Sequence, residues 1–293
     1  MILRRTLHTR RISLVCWLAG VSAIGLAVAA QQAPPASGAR ILLLPHRVVS
    51  GERATLAVLD VNGRLTPGAT VTFSDGDRLT TDATGRALFV APLNPGVIFG
   101  SLPGRAGRLP IVVLSPMEAA TSSMEIDSAP RIASVTDRFE LQGKGFCGDA
   151  DANQVTIAGK AALVLASSPT SLTILPPADV EAGDATVEIS CAKRAAAPFG
   201  LTLVELALEA DSSPLKPGEH RVLLVRVRGT SSKVALEAVN LSPEIAELVG
   251  GSSMRASTTG GAENTARFEL VGRGKGSFLI SIRLTPTYMR PQS

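Results

Sequence analysis

The feature that most constrains this chain is a succession of short apolar or alternating runs, separated by turn residues, from Arg40 to about Leu284. Short runs bounded by Asn-Gly, Pro-Gly and Asp/Gly signals are typical of strands joined by hairpins. No segment of this region keeps a helical periodicity over three turns. The pattern therefore predicts an all-β fold built from packed sheets.

The predicted strands group into blocks. The first block contains "RILLLP", "ATLAVLDV", "ATVTF", "RALFVAP" and "RLPIVVLSP", and the third contains "HRVLLVRVRG", "KVALEAVNL", "ARFELVGRG" and "GSFLISIRL". In the third block we expect five side chains to face the core, namely Val222, Leu224, Val227, Ile280 and Ile282. "SPEIAELVGG" predicts one or two helical turns, since Ser242 can cap and Pro243 suits the first helical position.

Three β-rich blocks of similar length predict three tandem immunoglobulin-like β-sandwich domains after an N-terminal signal or anchor helix. The expected organisation is a signal peptide or membrane anchor over 1–30, a linker over 31–39, sandwiches over 40–115, 129–204 and 205–285, a linker over 116–128 and a tail over 286–293.

The first thirty residues differ from the rest. Four arginines precede an apolar run over residues 12–30, and Ala29 and Ala30 close a small-residue cleavage pattern, so a secretory signal peptide is predicted. "TRRISLV" also resembles a twin-arginine signal, although Ser13 stands where that motif prefers an apolar residue. Uncleaved, residues 12–30 would be long enough to anchor the chain in a membrane. Both alternatives place the remaining chain outside the cytoplasm.

Charge argues against a nucleic-acid partner. The sequence has 29 Lys+Arg and 25 Asp+Glu, and residues 1–30 hold four arginines and no acid, so 25 cations balance 25 anions in the remainder. A nucleic-acid surface needs an excess of Lys and Arg on one face. The balanced remainder predicts no such partner.

Two cysteines remain once Cys16 is lost with the leader. An even pair in an oxidising compartment predicts a disulfide between Cys147 and Cys191, the alternative being two buried thiols.

"LQGKGFCGD" places Gly143, Gly145 and Gly148 at the spacing G-x-G-x-x-G of the dinucleotide fingerprint. That fingerprint needs a helix that begins within the glycines, whereas turn residues and the β-patterned "QVTI" follow here. We therefore expect the glycines to bend a strand, with Phe146 turned into the core.

The middle block resembles the IPT/TIG family of immunoglobulin-like domains, over about a quarter of the chain. The residues that carry the resemblance are Pro130, Ile132, Gly143, Phe146, Val155, Ile157, Gly159, Thr173, Ile174, Pro176 and Val187. The usual Pro and Gly after the opening Pro-x-Ile are missing from "SVTDRF". The first block resembles bacterial immunoglobulin-like and carboxypeptidase-regulatory-like modules. We expect one turn of this block at Pro67-Gly68 and a second turn at Asp82 and Gly85.

Candidate sites are sparse. Asp149, Asp151 and Asn153 resemble the start of a calcium loop, but Gln154 and Lys160 stand where an EF-hand needs Gly and Glu, so a solvated turn is the preferred interpretation. His46 and His220 fall in different blocks and predict no zinc site. No catalytic motif occurs, and we expect neither an enzyme nor a cofactor.

These patterns favour a non-enzymatic extracytoplasmic binding and spacer protein of the bacterial cell envelope, with an envelope protein or a glycan as partner. Recognition would use loops or exposed sheet edges. The alternative is an accessory module of a polysaccharide-acting enzyme. Trp17 lies in the leader and Tyr288 is the single tyrosine, so aromatic platforms for sugar are poorly supplied. A DNA-binding relative of the IPT family conflicts with the leader, the charge and the disulfide.

Overall fold

A computed structural model describes residues 40–104, 107–121, 123–210 and 213–291. The predicted leader over 1–30, its cleavage residues Ala29 and Ala30, and the linker over 31–39 lie outside the described residues. Strands dominate the described chain, as the sequence predicted. Within it no helix has the length and apolar character needed to cross a membrane.

The first eight strands form module 1. They are β1 (Ile41–Leu43), β2 (Arg47–Val49), β3 (Arg53–Leu59), β4 (Thr70–Phe73), β5 (Arg78–Thr80), β6 (Arg86–Val90), β7 (Gly96–Ser101) and β8 (Leu109–Leu114). β1 and β6 pair with β3 in one sheet, and the other sheet has the order β2-β8-β7-β4-β5. The turn residues act as predicted, because Asp82 Oδ1 accepts from the Thr84 N–H at 2.7 Å and Gly85 adopts a φ of 74°.

A short helix, α1 (Pro116–Ala119), opens the predicted linker, with Ser115 and Glu118 in a capping box. Module 2 follows with β9 (Glu125–Pro130), β10 (Ile132–Ser134), β11 (Phe139–Lys144), β12 (Asn153–Ile157), β13 (Lys160–Ala161), β14 (Leu163–Ser168), β15 (Ser171–Leu175), β16 (Gly183–Cys191), β17 (Arg194–Ala195) and the first half of β18 (Phe199–Glu209). β9 therefore begins inside the predicted linker.

Module 2 has the immunoglobulin strand order. One sheet runs β14-β15-β11-β9 and the other runs β13-β12-β16-β18, with β10 parallel to β18. In the usual lettering these are D-E-B-A and C′-C-F-G, with the first strand split between the two sheets.

Module 3 consists of the second half of β18, β19 (His220–Arg228), β20 (Ala235–Asn240), β21 (Ala246–Leu248), β22 (Ser253–Ser257), β23 (Thr265–Gly272) and β24 (Ile280–Leu284). Its sheets run β18-β19-β23-β21 and β22-β20-β24. The final strand, β25 (Tyr288–Met289), lies in the predicted tail and pairs with β9 of module 2.

Two expectations for module 3 are wrong. The predicted helical segment forms a turn over 243–245 and then β21, because the main chain from Ala246 to Leu248 pairs with β23. Val222 is 51% exposed, and Leu223 and Val225 are buried instead. Strand side chains alternate with a period of two, so Leu223, Val225 and Val227 share the inner face and Val222 and Leu224 lie on the other.

Each module has its own apolar core. The buried side chains of the described residues form three clusters, which include Leu56 and Ile111 in module 1, Leu141 and Ile157 in module 2, and Leu236 and Phe268 in module 3. Both sheets of every module contribute to its cluster, which is the arrangement of a sandwich.

Backbone pairing continues across the modules. β18 pairs with β16 over Phe199–Leu203 and with β19 over Glu205–Glu209, so one strand belongs to two sandwiches. β3 of module 1 pairs with β14 of module 2 at Thr55 and Ser167.

Candidate functional site

The G-x-G-x-x-G glycines serve close packing. A Cβ on Gly143 would lie 2.1 Å from the Glu125 carbonyl oxygen, and Gly145 adopts a φ of 82° beside the Ser123 carbonyl. The β9–β11 register shifts at Gln142 and Gly143, which is the predicted irregularity, and Phe146 is 2% exposed. After Gly148 come a three-residue 3-10 helix, Ala150–Ala152, and β12. This region therefore lacks the helix that the dinucleotide motif requires.

The predicted disulfide between Cys147 and Cys191 is present, with a Cα–Cα distance of 6.0 Å. Cys147 follows β11 and Cys191 ends β16, so the bond joins the two sheets of module 2. In antibody domains the inter-sheet disulfide joins strands B and F, whereas here Cys147 lies just beyond the end of the B strand, β11.

The three candidate calcium residues are engaged with protein groups. Asp149 Oδ1 accepts from the Asp151 N–H at 3.0 Å, and Asp151 lies 2.7 Å from Arg86 of module 1. The Asn153 amide donates to the carbonyls of Cys147 and Asp149. In the part of the chain that the structure describes, no group of three His, Cys, Asp or Glu side chains is arranged to hold a metal ion.

Modules 1 and 2 meet at a buried hydroxyl cluster, which consists of Thr55, Ser167, Ser168, Thr170 and Ser171. Thr55 Oγ1 donates to the Gly148 carbonyl at 2.9 Å and accepts from the Ala150 N–H at 3.1 Å. The Ser168 and Thr170 hydroxyls donate to the Arg47 carbonyl at 2.6 and 3.1 Å. Hydroxyls of each module thus pair with backbone groups of the other module.

Arg86 bridges the same junction from β6. Its side chain is only 9% exposed, and its Nη1 donates to the Val164 carbonyl of module 2 at 3.2 Å, while its Nη2 faces Asp151. Sequence reasoning assigned Arg86 only to a strand, because nothing local indicates that module 2 covers it.

All three modules contribute to a cleft of about 320 Å³. We call it the junction cleft, and its lining comprises Leu42, Leu43, Leu44, His46, Leu109, Pro110, Pro130, Ile132, Ala133, Ser134, Asp137, Arg138, Phe139, Glu140, Thr173, Leu284, Pro286 and Tyr288. Strands β1, β8, β10, β11 and β25 position most of these residues. The sequence analysis did not bring these residues together as a site, because the walls of the cleft come from distant parts of the chain.

Glu140 is the central polar group of the junction cleft. Its Oε2 lies 3.2 Å from His46 Nε2, and its Oε1 is buried without a hydrogen-bond partner among the described residues. The hydrogen bond with Glu140 raises the pKa of His46, although burial opposes the shift. Burial, assisted by the Glu140 charge, raises the pKa of Tyr288.

His220 lies in module 3, where its Nδ1 is 2.6 Å from Glu269. His46 and His220 thus have separate carboxylate partners in separate modules. On the outer face of module 3, Arg226 lies 2.9 Å from Glu209 and Arg228 lies 3.5 Å from Glu205. Arg226 and Arg228 of β19 therefore face acids of β18, and Arg221 of the same strand faces Glu219.

No protein-family model matches the chain, and no curated protein matches it significantly in sequence. Among solved structures, the chain is similar to SGBP-B from the mixed-linkage glucan utilization locus of Bacteroides ovatus, with 14% identity, a TM-score of 0.33, and coverage of 80% of this chain and 73% of that one.

Two further similarities are to the fibronectin(III)-like modules of Clostridium thermocellum CbhA and to the Yersinia pseudotuberculosis adhesin InvE. The first has 15% identity, a TM-score of 0.18, and coverage of 56% of this chain and 93% of that one. The second has 12% identity, a TM-score of 0.20, and coverage of 58% and 59%. Similarity at this level carries no functional argument, and the resemblance of module 2 to the IPT/TIG family remains a prediction.

Proposed function

We propose that this chain is a non-enzymatic, extracytoplasmic binding protein of the bacterial cell envelope. The observation that carries the proposal is the way the modules join. Continuous strand pairing, the hydroxyl cluster and Arg86 hold three sandwiches around one cleft. Rigid elements of this kind hold a recognition surface in place before a partner arrives, which lowers the entropy lost on binding.

Export is supported by the disulfide together with the predicted leader. Structural disulfides persist in oxidising compartments and are rare in the cytosol. In the Cys147–Cys191 bond, Cys191 belongs to the core of module 2 and is 1% exposed, and Cys147 is partly buried against that core. The partner is proposed to be an envelope protein or a glycan, met at the junction cleft or at outer sheet faces.

The proposal is tested on protein recovered from intact cells. A membrane-impermeant cross-linker is added, the envelope fraction is isolated, and the intact mass is measured with and without reduction and alkylation. We expect Cys147 and Cys191 to alkylate only after reduction, together with a discrete cross-linked species. Free thiols in a cytosolic fraction, or turnover of envelope polysaccharide by the purified chain, would contradict the proposal.

A further inference from the structure

The junction cleft has an uneven chemical character. Most of its wall is aliphatic or proline, and the side chains come from β1 and β8 of module 1, from β10 and β11 of module 2, and from the segment that ends in β25. A mostly apolar concavity with a few polar groups is the usual form of a small-ligand site.

One of its polar atoms lacks a partner. The Glu140 side chain is 19% exposed, its Oε2 is engaged with His46, and its Oε1 is buried without a donor among the described residues. Buried acceptors in native proteins nearly always have a donor, and each exception calls for an explanation. A ligand in the cleft would supply that donor once the carboxylate turns and brings Oε1 to the surface of the cleft.

The charged side chains around the junction cleft indicate which kind of donor group a ligand should bring. Asp137 and Arg138 also line the cleft, and their charges offset each other because Arg138 Nη1 lies 3.5 Å from Asp137 Oδ1. Among the described residues, His46 is the group that lies close to Glu140 Oε2, and Oε1 of the same carboxylate remains an acceptor without a donor. The cleft is complementary to a cation with an apolar stem.

We propose that the junction cleft binds a primary ammonium, amidinium or guanidinium group on a short apolar stem, with the cation donating to Glu140 Oε1 and the stem packed between the proline and leucine walls and Tyr288. This assignment rests on the proposed binding function, and it names the ligand class. A neutral sugar would leave Glu140 without the charged donor that makes such hydrogen bonds strong.

The test uses the full chain with its disulfide intact and benzamidine as probe. Tyr288 is the single tyrosine of the sequence, so ring-labelled tyrosine gives one set of NMR signals that report on this cleft. We expect benzamidine to shift these signals saturably, and benzyl alcohol and benzoate, which share the ring, to leave them unchanged. Equal shifts from benzyl alcohol would overturn the assignment of a cation site.

Two carboxylate variants separate the site from general charge effects. Glu140→Gln keeps the side-chain shape and removes the charge, so benzamidine should bind more weakly by a factor of about ten or more. Glu188→Gln removes an exposed carboxylate from β16, outside the cleft, and should bind as the wild type does. Unchanged binding to a folded Glu140→Gln would overturn the proposal; if that variant unfolds, the wild-type comparison with benzyl alcohol and benzoate decides.

Agmatine and a capped Ala-Arg-Ala peptide then distinguish the two sources of the cation. Tighter binding of agmatine indicates a free amine, and tighter binding of the peptide indicates a segment of a protein partner. If neither cation binds and benzamidine also fails, the cleft proposal is wrong. A cross-linked envelope species with disulfide-bonded cysteines would still support the wider binding function in that case.

Discussion

Gly148 shows how a single residue can fix the contact between two modules. A Cβ at this position would lie 1.7 Å from the Arg53 carbonyl oxygen, which is main chain and cannot rotate away. The carbonyl of Gly148 also accepts from Thr55. The residue therefore serves the junction between modules 1 and 2, rather than a turn of its own module.

We predict that Gly148→Ala lowers the free energy of unfolding by about 1–3 kcal/mol, since the added methyl forces the backbones apart. Urea unfolding followed by circular dichroism measures the change. Gly200→Ala is the matched control, because no atom lies within 4 Å of its added Cβ and its φ is not positive. A loss for Gly200→Ala equal to that for Gly148→Ala would contradict the explanation.

At the scale of single residues, the sequence could predict roles within one module, but it could not predict contacts between modules. Phe146 was expected in the core and the cysteines were expected to pair, and both expectations are confirmed. The partner of Gly148 lies 95 positions earlier, and the module that buries Arg86 follows it in the chain. No local pattern encodes such contacts, because they arise only when two sandwiches dock.

Strands were more predictable than their ends. Every quoted run in the first and third blocks contains a strand, since alternation and turn residues act over short distances. The segment at 246–248 became β21 because pairing with β23 outweighed its local helical signals. α1 carries a capping box at Ser115 and Glu118 that sequence inspection alone could have identified.

Among the features that connect strands, we expect the disulfide to contribute most to the free energy of unfolding. It closes a loop of 44 positions between the two sheets of module 2. In the chain-entropy model such a closure stabilises by about 4 kcal/mol. We predict that the double variant Cys147→Ser with Cys191→Ser loses about that amount in denaturant unfolding. A loss close to zero would show that packing alone holds the two sheets together.

At the scale of the whole molecule, one continuous strand, β18, joins modules 2 and 3 where a flexible linker would act as a hinge. The strand changes partner at Val204, which is fully buried, and the next residues already belong to module 3. The sequence analysis predicted a domain boundary between 204 and 205, and in the structure β18 runs without a break across that position. Which partner each half takes is decided by packing on both sides.

A rigid connection predicts a narrow distribution of distances between modules 2 and 3. Spin labels at Glu188→Cys and Ser257→Cys, both exposed positions, report this distance by pulsed electron resonance. We expect one narrow peak in the wild-type background. Insertion of Gly-Gly-Ser after Val204 should broaden the peak, because a flexible linker samples many separations. A broad wild-type distribution would contradict the shared-strand connection.

The junction cleft has a mechanical consequence. Leu42 of β1 and Tyr288 of β25 line the same cleft, although they lie near opposite ends of the described chain. Tension applied between these two places would pass through the few strands around the cleft and would largely bypass the bulk of the three sandwiches. The three sandwiches would then lie to one side of the direction of the force and would add little length along that direction.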